Sequence, residues 1–164
     1  MSSLPSFSLA TAFAVCAFAA PTGAQLIEHK DLTSAIAVTI VQTAVETCKA
    51  QGYAVSATVV GRNGEIIAQL RGDNSSPHTM ENSFRKAYTA RTLRSPSATL
   101  VERLKADPNL AYVHLRNIIA FAGALPIKLG DEVIGAAGVS GAPGGDKDEA
   151  CVKAGLDKIA DQLK

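Results

Sequence analysis

An Asn-Gly pair, Asn63-Gly64, lies between two runs of strand-forming residues. Residues 53–60 precede the pair and alternate apolar side chains onto one face, and residues 65–70 follow it. Asn-Gly readily adopts the positive φ angles of the two-residue turns that connect hairpin strands. The pattern therefore predicts a β-hairpin, and a hairpin requires antiparallel pairing.

A second hairpin is predicted nearer the C-terminus, where Gly130-Asp131 separates residues 125–129 from residues 133–139. Residues 118–121 form a further short strand or an extended piece. Together these segments predict an antiparallel sheet of about five strands.

Apolar residues at helical spacing, with start and stop signals, predict four helices. Gly52 is the expected stop of the first helix. Helices packed on an antiparallel sheet define the α+β class, so we expect one α+β domain. The helices run from a cap at Asp31 or Thr33 to residue 51, from a cap at Ser76 to residue 93, from a cap at Ser97 to residue 106, and over residues 147–163.

The first 24 residues contain no Lys, Arg, Asp or Glu and include an apolar run over residues 7–20. Small residues follow up to Ala24, which is typical of a signal-peptide cleavage site before Gln25. We therefore expect a signal peptide at 1–24, a mature domain at 25–164, and a periplasmic or secreted location. The positive flank of a signal peptide is missing, so an N-terminus that is disordered or rests on a membrane is the alternative.

The mature chain would keep two cysteines, Cys48 and Cys151. An oxidising compartment would permit a disulfide between them. Two buried free thiols are the alternative, because cysteine is among the most buried residue types.

Composition argues against a nucleic-acid partner, because the net charge is only +1 and there is no Trp. The glycine-rich stretch 135–145 lacks the spacing of a nucleotide-binding loop and predicts a strand end and a tight turn. Asp146, Asp148 and Glu149 could gather a metal ion, but acids at a helix start are already explained by the helix dipole. No motif of a hydrolase or metalloprotease is present, so the sequence gives little support for an enzyme.

His78 is the most informative of the three histidines, because it falls in the first turn of the second helix. The positive end of a helix disfavours imidazolium and keeps the ring neutral, the form that binds transition metals. Arg85 and Lys86 follow within two turns, and then Tyr88. A neutral donor beside two cations suits a flat metal macrocycle with acidic side arms. A surface histidine on a helix cap is the alternative.

Several segments, in order, resemble the GlcG/HbpS family over roughly residues 31–163. They include the first hairpin and its loop, the Arg85–Ala90 part of the central helix, the Ser95-Pro96-Ser97 break and the Asp148-Glu149 pair. The most specific are Gly123-Ala124-Leu125-Pro126-Ile127 and Val133-Ile134-Gly135-Ala136-Ala137-Gly138-Val139-Ser140-Gly141-Ala142. The chain departs from the family pattern at Gly61, where Asp is frequent, and at Ala122-Gly123, where Gly-Gly is frequent.

The resemblance implies a profilin-like fold and homo-oligomers. It also implies haem binding, with haem degradation, or haem sensing alongside a membrane sensor kinase, in some members. On that basis His78 is the expected axial ligand of the haem iron, and Ser97 is the rival oxygen ligand. Arg85 and Lys86 would neutralise the propionates, while Thr79 and Tyr88 would line the site. The alternatives are an oxidative enzyme or accessory protein acting on a small catabolic metabolite or corrinoid, and a ligand-free oligomeric sensor or scaffold.

Overall fold

The computed structural model describes residues 27–163, so the predicted signal peptide lies outside the described residues. Its helices are α1 (Ser34–Ala50), α2 (His78–Leu93), α3 (Ala98–Ala106) and α4 (Gly145–Lys158). Its strands are β1 (Ser56–Val60), β2 (Ile66–Arg71), β3 (Ala124–Leu129) and β4 (Glu132–Ser140). Short 3₁₀ turns follow at Ala111–His114 and Ala160–Gln162.

The four strands form one antiparallel sheet in the order β2-β1-β4-β3. Both predicted hairpins are confirmed: β1 pairs with β2, and β3 pairs with β4. The central pair, β1 with β4, joins the two hairpins and could not be inferred from local turns. The α+β class is therefore confirmed.

The prediction of about five strands is corrected to four, because residues 118–121 lie in a loop within the described chain. The backbone of this loop bonds to side chains of α2 instead of to a strand. The N–H of Ile119 donates to the Thr89 hydroxyl at 2.9 Å, and Arg85 donates to the carbonyl of Ile118 at 2.8 Å. These bonds give the backbone N–H and C=O groups of the loop hydrogen-bond partners where the loop crosses α2.

The sheet lies between two helical layers. One face packs against α1 and α4 and carries the larger apolar core, including Ile40, Val59 and Val152. The other face packs against α2 over small residues such as Ala87 and Ala136. The two layers bury opposite faces of the same strands because successive side chains of a strand alternate.

Pairs of hydroxyl groups also join α2 to the sheet. The Ser56 and Thr79 hydroxyl oxygens lie 2.7 Å apart, and those of Thr58 and Ser83 also lie 2.7 Å apart. A Cβ at Gly138 would come within 2.5 Å of the Ser83 carbonyl oxygen. Glycine at this position therefore lets the helix backbone approach the strand closely.

Of the predicted N-caps, Thr33 is confirmed, since its hydroxyl accepts a hydrogen bond from the N–H of Ile36 at 3.3 Å. Ser76 and Ser97 precede their helices, but neither α2 nor α3 has a side-chain cap bond. Ser97 is fully buried, and its hydroxyl accepts from the Ala124 N–H instead. Gly52 adopts the left-handed φ of +81° expected of the residue that ends α1.

Cys48 and Cys151 form a disulfide between α1 and α4, with their Cα atoms 5.6 Å apart. The alternative of two free thiols is therefore wrong. The crosslink closes a loop of 103 residues in sequence, and closing a long loop removes much of the freedom of the unfolded chain.

Among the described residues, no helix is both long and apolar enough to cross a membrane.

We expect the double variant Cys48→Ala/Cys151→Ala to lose about 2–5 kcal/mol of unfolding free energy, because its unfolded chain is no longer crosslinked. Urea denaturation followed by circular dichroism measures the loss. Reductant should destabilise the wild-type protein by a similar amount and leave the double variant unchanged. Equal stability of the two proteins without reductant would contradict the role given to the disulfide.

Candidate functional site

A concavity of about 520 Å³ opens where α2 and α4 both begin. Its walls are the first turns of α2, the loop 120–122, and the chain from the end of β4 into α4. Val101 of α3 adds an apolar side chain to these walls. The volume falls in the range of sites that hold small organic ligands or cofactors.

Glycine residues allow the chain to turn from β4 into α4 at this concavity. Gly141 has a φ of +132°, and a Cβ there would lie 2.5 Å from the Ala54 carbonyl oxygen. A Cβ at Gly145 would lie 2.6 Å from the Cβ of Ala122. The glycine-rich stretch is thus a strand end and a turn, as predicted, and it also forms one wall of the site.

A buried ion pair lies beside this wall. The Lys86 ammonium, on α2, is 2.6 Å from Oδ2 of Asp148, on α4, and both side chains are at least 95% buried. The ammonium also donates to the Val139 carbonyl at 3.1 Å, and Oδ1 of Asp148 accepts from the Ala142 N–H at 3.0 Å. The pair therefore links two helices and the end of β4.

Burial raises the pKa of the Asp148 carboxyl, and the Lys86 ammonium and the Ala142 N–H oppose that rise. Each charge is stable in this interior only while the other is present. Gly123, with a φ of +120°, covers the pair, and a Cβ there would lie 2.7 Å from the Cβ of Asp148. Glycine at this position therefore allows the loop to close over the two charges.

The structure brings His78, Thr79 and Lys86 to the concavity. The His78 side chain is exposed at its edge. Thr79 is buried, and its hydroxyl bonds to Ser56 and to the Ser76 carbonyl. Lys86 was predicted to neutralise a ligand carboxylate, but its charge is already balanced by Asp148.

Arg85, Tyr88 and Ser97 do not line this concavity. The Arg85 guanidinium donates to the Ile118 carbonyl, and its Nη1 lies 3.7 Å from Oε1 of Glu81. Tyr88 packs on Phe84, with ring centroids 5.8 Å apart. Ser97 is buried against the first residue of β3, so its hydroxyl is already bonded.

Sequence reasoning missed Asn82, Phe121, Ser140 and Asp148 as lining residues. Asn82 could have been found, because it shares a helix face with His78 and Lys86 at four-residue spacing. Phe121 is 57% exposed and lines the concavity. No local signal relates Ser140 or Asp148 to α2.

A single antiparallel sheet between two helical layers, with a ligand-sized concavity at two helix starts, defines a small α+β protein with a candidate ligand site among its described residues. The family follows from the sequence: residues 32–157 match the model of the family described as haem degrading protein HbpS-like. The chain belongs to the HbpS-like family.

Solved structures agree with this assignment. The chain is 34% identical to HbpS, with a TM-score of 0.79 over 86% of this chain and 99% of that one. It is 25% identical to the protein ORFY of Klebsiella pneumoniae, with a TM-score of 0.75 over 87% of this chain and 98% of that one. PduOC, crystallised as a haem complex, shares the fold at 20% identity, with a TM-score of 0.73 over 79% and 96% of the two chains.

Among curated proteins, an uncharacterized 15.0 kDa protein from the dhaT-dhaS intergenic region of Citrobacter freundii is 34% identical over 87 residues. The match covers 51% of this chain and 61% of that protein. The chain therefore matches less than two thirds of this relative's length.

We expect Lys86→Met and Asp148→Asn each to cost about 3–5 kcal/mol of unfolding free energy, because each leaves the other polar group buried without its partner. The double variant should lose much less than the sum of the two single changes. Urea denaturation of all four proteins measures the coupling.

The exposed pair Lys153–Asp157 is the matched control for these variants, with both side chains more than 60% exposed. Its removal by Lys153→Met should cost less than about 0.5 kcal/mol. Additive effects at Lys86 and Asp148 would show that the two side chains do not stabilise each other.

Proposed function

We propose that this protein is an exported haem-binding protein in which His78 ligates the iron. The observation that carries the proposal is the place of His78, exposed at the edge of a ligand-sized concavity in a domain of the HbpS-like family. The family description names haem, and the fold neighbour PduOC was crystallised with haem.

The donor set fits a haem. The imidazole of His78 has no hydrogen-bond partner among residues 27–163, so a ring nitrogen is available for a metal. Haem supplies an iron centre that a neutral imidazole ligates well. His78 would hold the iron from the first turn of α2.

Apolar side chains near His78 suit the flat face of a porphyrin. Phe121, Ala122 and Val101 line the same concavity, and Phe121 is 57% exposed. Burying this ring against a ligand would remove a large apolar surface from water. Arg85 and Lys86 already have partners within the chain, so the acidic arms of the ligand need other donors.

Export is part of the proposal, and two independent features support it. The uncharged, apolar N-terminal segment has the pattern of a signal peptide. The disulfide between Cys48 and Cys151 is typical of proteins that fold in an oxidising compartment. We therefore propose that the mature protein works in the periplasm or outside the cell.

Hemin added to the purified mature chain is expected to give a shifted Soret band that saturates with one site per chain. His78→Ala should lower the affinity for hemin by at least about tenfold, because it removes a metal–ligand bond. The exposed His114 supplies the control: His114→Ala should leave the titration within about twofold of wild type.

An unchanged hemin titration in His78→Ala would overturn the assignment of the iron ligand. A wild-type chain that gives no saturable Soret shift would overturn haem binding itself.

Expression of the full chain in a bacterial host should yield a mature protein in the envelope fraction, with Gln25 as its first residue. Intact-mass measurement and N-terminal sequencing check the cleavage site. A chain lacking residues 2–24 should stay in the cytoplasmic fraction. Recovery of the full-length chain from the cytoplasm would contradict export.

A further inference from the structure

The Ser140 hydroxyl is an unused hydrogen-bonding group at the inner end of the concavity. Ser140 is the last residue of β4, is only 4% exposed, and lines the concavity. Its backbone pairs with Ser56, so both side chains point to the same face of the sheet, toward α2. The Ser56 hydroxyl bonds to Thr79, whereas that of Ser140 has no partner among the described residues.

Both helices that open into the concavity begin without a side-chain cap. In α4, the N–H groups of Lys147 and Asp148 both donate to the Gly144 carbonyl. Those of Gly145 and Asp146 have no acceptor among the described residues. Free N–H groups at a helix start carry partial positive charge and bind anions readily.

The neighbouring ion pair of Lys86 and Asp148 carries no net charge. An ammonium has three N–H donors, and Lys86 uses two of them on Asp148 and Val139. The third has no partner among the described residues. Because Asp148 balances Lys86 and the Asp146 carboxylate offsets part of the partial positive charge at the start of α4, a ligand here would be held mainly by hydrogen-bond donors.

A singly charged ligand group suits this arrangement better than a doubly charged one. A helix start supplies about half of one positive charge. The Asp146 carboxylate folds back beside Gly144, where a Cβ would lie 2.4 Å from its oxygen. This carboxylate would repel a phosphate dianion about twice as strongly as a ligand carboxylate, which carries one charge and accepts from several N–H and O–H donors.

We infer that the inner end of the concavity is a carboxylate-binding subsite, in which the Ser140 hydroxyl and the first N–H groups of α4 donate to a carboxylate of the ligand. Two sources share this chemistry: a propionate of haem, which rests on the proposed function, and a free small organic acid, which does not.

The apo protein, labelled with ¹⁵N, tests the subsite without haem. Acetate should shift the amide signals of Gly145 and Asp146 saturably, and the neutral isostere acetamide should not. Inorganic phosphate should bind more weakly than acetate at neutral pH. Equal shifts with acetamide, or tighter binding of phosphate, would overturn the carboxylate subsite.

Ser140→Ala should weaken acetate binding by about tenfold, the scale of one hydrogen bond to a charged group. Ser76→Ala is the matched control, because Ser76 lines the same concavity but is exposed, and it should change acetate affinity by less than about twofold. Acetate binding to Ser140→Ala with wild-type affinity would overturn the role of this hydroxyl.

Hemin and its dimethyl ester distinguish the two sources. If a propionate occupies the subsite, acetate should compete with hemin, and the ester should bind about tenfold more weakly than hemin. If hemin and its ester bind with equal affinity, and acetate still binds to the apo protein, the subsite takes a free organic acid instead of a propionate. If acetate binds but hemin does not, the proposed function is overturned and the carboxylate subsite still stands.

Discussion

The ion pair between Lys86 and Asp148 holds together the part of the molecule where the candidate site lies. It joins α2 on one face of the sheet to α4 on the other. Lys86 also bonds to the end of β4 at Val139, and Asp148 bonds to Ala142 in the chain that links β4 to α4. Two charges are stable at this depth only as a pair with their remaining hydrogen bonds satisfied. The relative position of the two helix starts depends on this contact.

The concavity follows from that arrangement. The Ser56–Thr79 and Thr58–Ser83 hydroxyl pairs fix α2 on its face of the sheet, and the disulfide fixes α4 against α1 on the other. Both α2 and α4 then begin at the same end, without side-chain caps. The result is a space with an apolar edge near Phe121, an imidazole beside it, and N–H and O–H donors at its inner end.

Much of the fold could be predicted because its signals are local. Asn63-Gly64 and Gly130-Asp131 identified both hairpins, and Thr33 and Gly52 marked the ends of α1. The fifth strand was wrong because its backbone bonds to side chains of α2, which lies far away in sequence. For the site, the sequence predicted His78 and Lys86, which both line the concavity, but it took Lys86 for a free cation, since its partner follows 62 residues later.

The sequence by itself determined the α+β class, the two hairpins and the four helices, because turn chemistry and apolar periodicity act over a few residues. Its motifs, taken in order, also identified the family. Only the tertiary structure decided that β1 pairs with β4, that Cys48 meets Cys151, and that Lys86 pairs with Asp148. It also left the Ser140 hydroxyl beside the start of α4 without a partner among the described residues. These contacts join distant parts of the chain, and such pairings are set by how the helical layers pack on the sheet.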